Sequence, residues 1–99
     1  MYYAIFGHDV PNSLPLRKQV REQHLQRIEV LKDEGRVLVG GPHPAIDSED
    51  PGEAGFSGSL IIAEFPSLEE ARRWAEEDPY STSGVFARVD VKPFKIVVP

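Results

Sequence analysis

The chain contains no cysteine, which excludes a disulfide framework, thiolate catalysis and sulfur-ligated zinc. It has no apolar run near the ~20 residues a helix needs to cross a bilayer. Basic residues are scarce: 11 Lys and Arg stand against 16 Asp and Glu, a net charge of -5. Such a balance does not neutralise a phosphate backbone or adsorb to anionic lipid, so neither nucleic-acid nor membrane partners are expected. The opening MYYAIFGHDV lacks the basic n-region and small-residue cleavage site of a secretory signal. A cytoplasmic location is the expectation.

What is present suffices for one core. With 99 residues and 40% hydrophobic content, the sequence predicts a single domain over residues 1–99. Gly and Pro number 8 and 9, and eight of them fall between Gly40 and Gly58. That clustering predicts one long loop, Pro42 to Gly58, whose Asp47–Gly55 portion is expected to cover a cleft.

Periodicity supplies the elements. Tyr2 to Asp9 is apolar on both alternating sets, as in a strand covered on both faces. Leu16 to Glu34 carries Leu16, Val20, Ile28 and Leu31 at helical spacing, with Gly35 placed to cap it. Arg36–Gly41 and Gly58–Phe65 read as strands. Ser67 and Glu70 form a capping box, so a helix begins at 67 and Pro79 stops it. Val85, Ala87, Val89 and Val91 alternate with polar or outward residues in a last, half-buried strand. The order β-α-β-β-α-β predicts an α+β, ferredoxin-like fold: a four-stranded antiparallel sheet with both helices on one face. The other face, with the apolar set of the first strand and the tail Phe94–Val98, is left bare, and a homodimer through it is the simplest cover.

His24 lies between Val20 and Ile28 in the middle of the helical apolar stripe. It reads either as a core imidazole satisfied by one hydrogen bond or as a reactive group. Asp78 falls four residues after Trp74 at the last turn of the second helix, where a carboxylate opposes the macrodipole and gains nothing for stability. Two helices on one sheet face could bring the two groups together. The pair would then either lock the packing or act as a general acid–base centre, the carboxylate fixing the tautomer and raising the basicity of the free nitrogen. Arg17, seven residues before His24, is a candidate for a substrate carboxylate, and Tyr80 for lining the cleft. Ser48 is a third candidate substrate contact, although no G-x-S-x-G surrounds it. His8 and His43 have no ligand spacing, the acidic run Asp47, Glu49, Asp50, Glu53 does not match a calcium loop, and Gly40-Gly41 opens no helix. No metal or cofactor is expected.

The segments MYYAIF, His24-Leu25, Asp33–Pro42, Pro44–Ser59, DPY at 78–80 and Val91–Lys95 together resemble the YCII-related family over nearly the whole chain. The resemblance implies a dimeric ferredoxin-like α+β barrel, kin to muconolactone isomerases and a chloromuconolactone dehalogenase. It also implies a His–Asp active site at His24 and Asp78. Two functions follow as expectations. One is a lyase-, isomerase- or dehalogenase-type enzyme acting on an unknown small molecule; the other is a non-catalytic dimeric module that binds a metabolite.

Overall fold

Three of the four strands are rich in β-branched and aromatic residues, while the fourth passes from Val37-Leu38-Val39 into Gly40-Gly41-Pro42, and the helix ends follow local signals. The computed structural model describes Met1–Pro99 as β1 (Tyr2–Asp9), α1 (Leu14–Asp33), β2 (Val37–Pro44), β3 (Phe56–Glu64), α2 (Leu68–Glu76), α3 (Pro79–Thr82) and β4 (Phe86–Phe94), with a 3₁₀ turn at Gly52–Ala54. The strands pair antiparallel in the order β2-β3-β1-β4, the ferredoxin-like order expected. No helix is long and apolar enough to cross a membrane.

The helix limits follow from local chemistry. α1 starts at Leu14, two residues earlier than the apolar spacing predicts, because Pro15 sits in the first turn where its missing N–H costs nothing. It ends where Gly35 takes φ +73, and the N–H groups of Gly35 and Arg36 close onto the carbonyls of Lys32 and Leu31. α2 starts after Ser67, whose hydroxyl accepts from the Glu70 N–H at 3.1 Å. Pro79 does end α2, but it also opens α3 as an early-turn proline. The sequence periodicity does not reveal that four-residue helix.

Tyr3, Ile5, Ile61 and Ala63 point to the helix side of the sheet and meet Leu31, Ala71 and Ala75 in the core. Strict alternation along β4 would put Phe86 and Val89 on opposite faces. A register shift at His8/Asp9 turns Phe86 onto the helix side instead. Its ring then lies directly over Gly7, where a Cβ would come within 2.5 Å of it. The opposite face carries Tyr2, Phe6, Leu60 and Phe94, all half-buried, and Val39, half-exposed. The 45–55 connection is shorter than predicted because β2 runs on to Pro44 and β3 begins at Phe56.

Candidate active site

α1, α2 and the sheet enclose a cavity of about 360 Å³, within the size range of small-molecule sites. About half of its lining is apolar, including Ile5, Ile28, Ile61, Trp74 and Phe86. His24, Asp78, Tyr80 and Arg17 all reach it. The predicted lid does not: no residue of Asp47–Gly55 lines the cavity. Ser48 lies with Pro44, Ile46, Asp47 and Glu49 in a separate shallow depression, its hydroxyl engaged with the backbone of Asp50. It therefore has no part in this site. The loop closes on itself through Ala45 N–H to the Gly55 carbonyl, and Gly55 packs against Leu14 away from the cavity.

His24 and Asp78 meet. The imidazole Nδ1 lies 2.8 Å from Asp78 Oδ1. A carboxylate only accepts, so Nδ1–H donates, and the neutral form of this imidazole carries its lone pair on Nε2. The imidazole is 14% exposed and the carboxylate 3%. Asp78 is not a frustrated charge at the end of α2, as its sequence position suggests. It is the N-cap of α3, and Oδ1 also accepts from the Tyr80 N–H at 2.8 Å. A third contact escapes the sequence reading. Arg27 donates to Oδ2 at 3.2 Å, with its guanidinium 4.5 Å from the Trp74 ring centre. Arg27 is one turn beyond His24 on α1, a spacing that could have been noticed.

Tyr80 stacks flat on His24, with ring centres 3.8 Å apart and planes 5° from parallel. Phe86 meets the Tyr80 ring at right angles, with ring centres 5.6 Å apart. Phe86 thus ties Tyr80 to the bare backbone at Gly7, and the imidazole plane is set by stacking as well as by hydrogen bonding. Burial pushes the Tyr80 phenol above its ordinary value, partly offset by the cations of Arg17 and Arg21.

Arg17 is buried, at 5% exposure. Its Nε donates to Asp9 Oδ2 at 2.6 Å, and Nη2 reaches Asp9 Oδ1, the Gly58 carbonyl and Ser59 Oγ at 2.9–3.0 Å. Ser13 Oγ donates to Asp9 as well. The charge expected to hold a substrate carboxylate is therefore committed to joining α1 to β1 and β3, and the guanidinium contributes a wall to the cavity. His8 lies on the other sheet face, bonded through Nε2 to Asp90 at 2.8 Å, which draws the Asp90 carboxyl below its ordinary value. His43 packs against Phe6 on that face. No three His, Asp or Glu side chains converge as a metal site.

Residues 1–95 match the YCII-related domain family. An uncharacterised protein of Haemophilus influenzae is 57% identical over 98% of this chain and 99% of its own length. Protein YciI of Escherichia coli is 56% identical over the same shares. Among solved structures, the 5-chloro-2-hydroxyhydroquinone dehydrochlorinase TftG of Burkholderia phenoliruptrix, in complex with 2,5-dihydroxybenzoquinone, superposes with a TM-score of 0.84. It is 32% identical, and the match covers 96% of this chain and 94% of that one.

Proposed function

The chain belongs to the YCII-related domain family, and from that premise we propose that it is an enzyme of general acid–base chemistry on a small hydroxylated ring or lactone. The observation that carries this reading is the His24–Asp78 pair, set at the wall of a cavity of ligand size with the imidazole clamped by Tyr80. Nε2 of His24 takes a proton from the substrate. The electron pair left behind forms a new C=C or C=O bond, and a leaving group such as chloride departs with its own pair. The proton then returns from the imidazolium to solvent. Asp78 holds the ring in one tautomer and stabilises the imidazolium while it lasts.

The dehydrochlorinase likeness supports the elimination form of this chemistry. Its test is chloride release from 5-chloro-2-hydroxyhydroquinone. Turnover by the wild type and a loss of about 10²–10⁴-fold in His24→Ala are expected, the range general acid–base catalysis supplies. A wild type that does not eliminate or isomerise this substrate or related hydroxylated rings and lactones overturns the reading. So does a folded His24→Ala protein that works normally.

The working form is proposed to be a homodimer packed through the helix-free face. Tyr2, Phe6, Val39 and Leu60 supply the apolar surface for it.

A further inference from the structure

We infer that the side of the cavity between α1 and β2 is a separate apolar subsite, floored by Gly40, so that the substrate is a hydroxylated ring or lactone carrying an apolar substituent about the size of a phenyl group; this rests on the reading above that the cavity is the substrate site. Size gives the first argument. A cavity of about 150 Å³ is enough to hold one benzene ring, and this one measures about 360 Å³. A single ring set against His24 therefore leaves more than half of the space unfilled.

The helix and the strand show where that space lies. Leu25, Ile28 and Lys32 recur at spacings of three and four, so they form one stripe of α1, and all three line the cavity. At the helical rise, Ile28 lies about 6 Å and Lys32 about 12 Å beyond His24 along the axis. Opposite them runs β2. Its Val37 and Gly40 pair with Ala63 and Ile61, which belong to the core, so they share the helix side of the sheet. Yet no residue of β2 is buried. α1 does not close over this strand, and the cavity occupies the gap between them. Leu25 is 38% exposed, and Ile28 and Val37 are half-buried. Three apolar side chains thus border space open to water, where an apolar group would gain by displacing it.

Gly40 keeps the gap open. Its φ is not left-handed, so the backbone there does not call for glycine, and glycine within a strand weakens it. A Cβ at this position would meet Ile61 Cγ1 at an ordinary 3.5 Å, and its three nearest neighbours would all belong to β3. A larger residue would therefore suit the strand and intrude on the cavity instead. Glycine leaves bare backbone beneath the gap, a floor that a flat apolar group can lie upon. Leu25, Ile28 and Val37 stand around that floor, and none of them has a polar side-chain atom. This end of the cavity selects by shape and apolar contact, whereas the His24 end selects by proton transfer.

The test is equilibrium binding of hydroquinone and phenylhydroquinone under argon. The two probes differ only in the apolar arm, and neither requires His24 to move a proton. Burial of the phenyl group predicts that the wild type binds phenylhydroquinone about 10–100-fold more tightly. Gly40→Val places a β-branched residue in the strand, so it should melt no lower than the wild type. It should reduce the preference to about threefold or less and leave hydroquinone binding within about threefold. Gly40→Ala should give an intermediate preference, and it serves alone if the valine variant does not fold. Absence of millimolar phenylhydroquinone binding, equal affinity for the two probes, or a folded Gly40→Val protein that keeps the full preference overturns the inference. So does a Gly40→Ala protein that keeps the full preference where the valine variant is unfolded. Equal weakening of both probes in a variant that melts lower also overturns it, because the glycine then serves the fold. If the preference and its loss are found while His24→Ala retains turnover, the acid–base reading fails and the apolar subsite stands. Chloride release that depends on His24, without the preference, gives the reverse.

Discussion

Replacing Asp78 in two ways separates what its two oxygens do. In Asp78→Ala the N-cap of α3 is lost, at a cost of about 1 kcal/mol. The buried His24 Nδ1–H loses its only acceptor as well, for about 1–3 kcal/mol more. Arg27, a quarter exposed, returns to water. The total is about 2–4 kcal/mol, which in a chain of this size lowers Tm by roughly 10–30 °C. Asp78→Asn is different, because both the Tyr80 N–H and His24 Nδ1 bind Oδ1. An asparagine can present its carbonyl oxygen to both and turn its NH₂ towards Arg27 in place of Oδ2. It keeps the cap, loses a partly exposed ion pair worth about 0–1 kcal/mol, and removes the negative charge proposed to stabilise an imidazolium. The expected pattern is a nearly native urea-unfolding midpoint for Asp78→Asn with chloride release down by about 10²-fold or more. Tryptophan fluorescence follows unfolding, since Trp74 lies against Arg27. Equal destabilisation by Ala and Asn would refute the division of labour between Oδ1 and Oδ2. Full activity in Asp78→Asn would refute the role of the charge.

Arg17→Met leaves the Asp9 carboxylate, 1% exposed, without its cation; a loss of about 3–5 kcal/mol is expected in urea unfolding, and Asp9→Asn in the same chain should recover part of it. Because the Tyr80 pKa is raised on folding, the folded chain holds this proton where the unfolded chain releases it. That contribution is complete below the unfolded value of about 10 and declines as pH climbs through the folded value, so wild-type stability should fall more steeply above pH 10 than that of Tyr80→Phe. Gly7→Ala forces the Phe86 ring away from its seat, with an expected cost of about 1–3 kcal/mol and a loosened Tyr80–His24 stack visible in near-ultraviolet dichroism. Sedimentation at micromolar concentration should give a dimer, and Phe6→Lys should shift it towards the 11.1 kDa chain; a wild type sedimenting only as that chain removes the proposed sheet-face contact.

The elements were legible where a single period governs them. Alternation in β1 and the stripe through Val20, His24 and Ile28 point to the right faces, and Gly35 and Ser67 mark helix ends by chemistry that acts within a few residues. His24 and Asp78 were legible as a pair because each falls in sequence at helical spacing from apolar residues, although Asp78 itself lies beyond α2 and caps α3. What escaped depends on departures from periodicity. The register shift that turns Phe86 inward is set by two strands together, and α3 is too short to show a repeat. Arg17 was visible as a cation near His24, but its partner Asp9 is on another element, so its commitment to structure could not be read from α1 alone. Arg21 and Arg27 were in view at helical spacing from His24. Only the arrangement of carboxylates around them tells which is paired and which is free.

The sheet order has a kinetic consequence. β1 pairs with β4, so Tyr2 comes opposite Phe94, and His24 is 54 residues from the carboxylate that orients it. Contacts that span so much of a chain require long loops to close before they return any free energy, and they slow folding relative to local helical contacts. The cavity takes side chains from every strand and from all three helices, so no early, locally folded fragment contains it. Ligand affinity should therefore emerge in the final cooperative step of refolding. The Tyr80 amide, held by the Asp78 side chain, should exchange with solvent deuterium only through openings that dismantle the whole site.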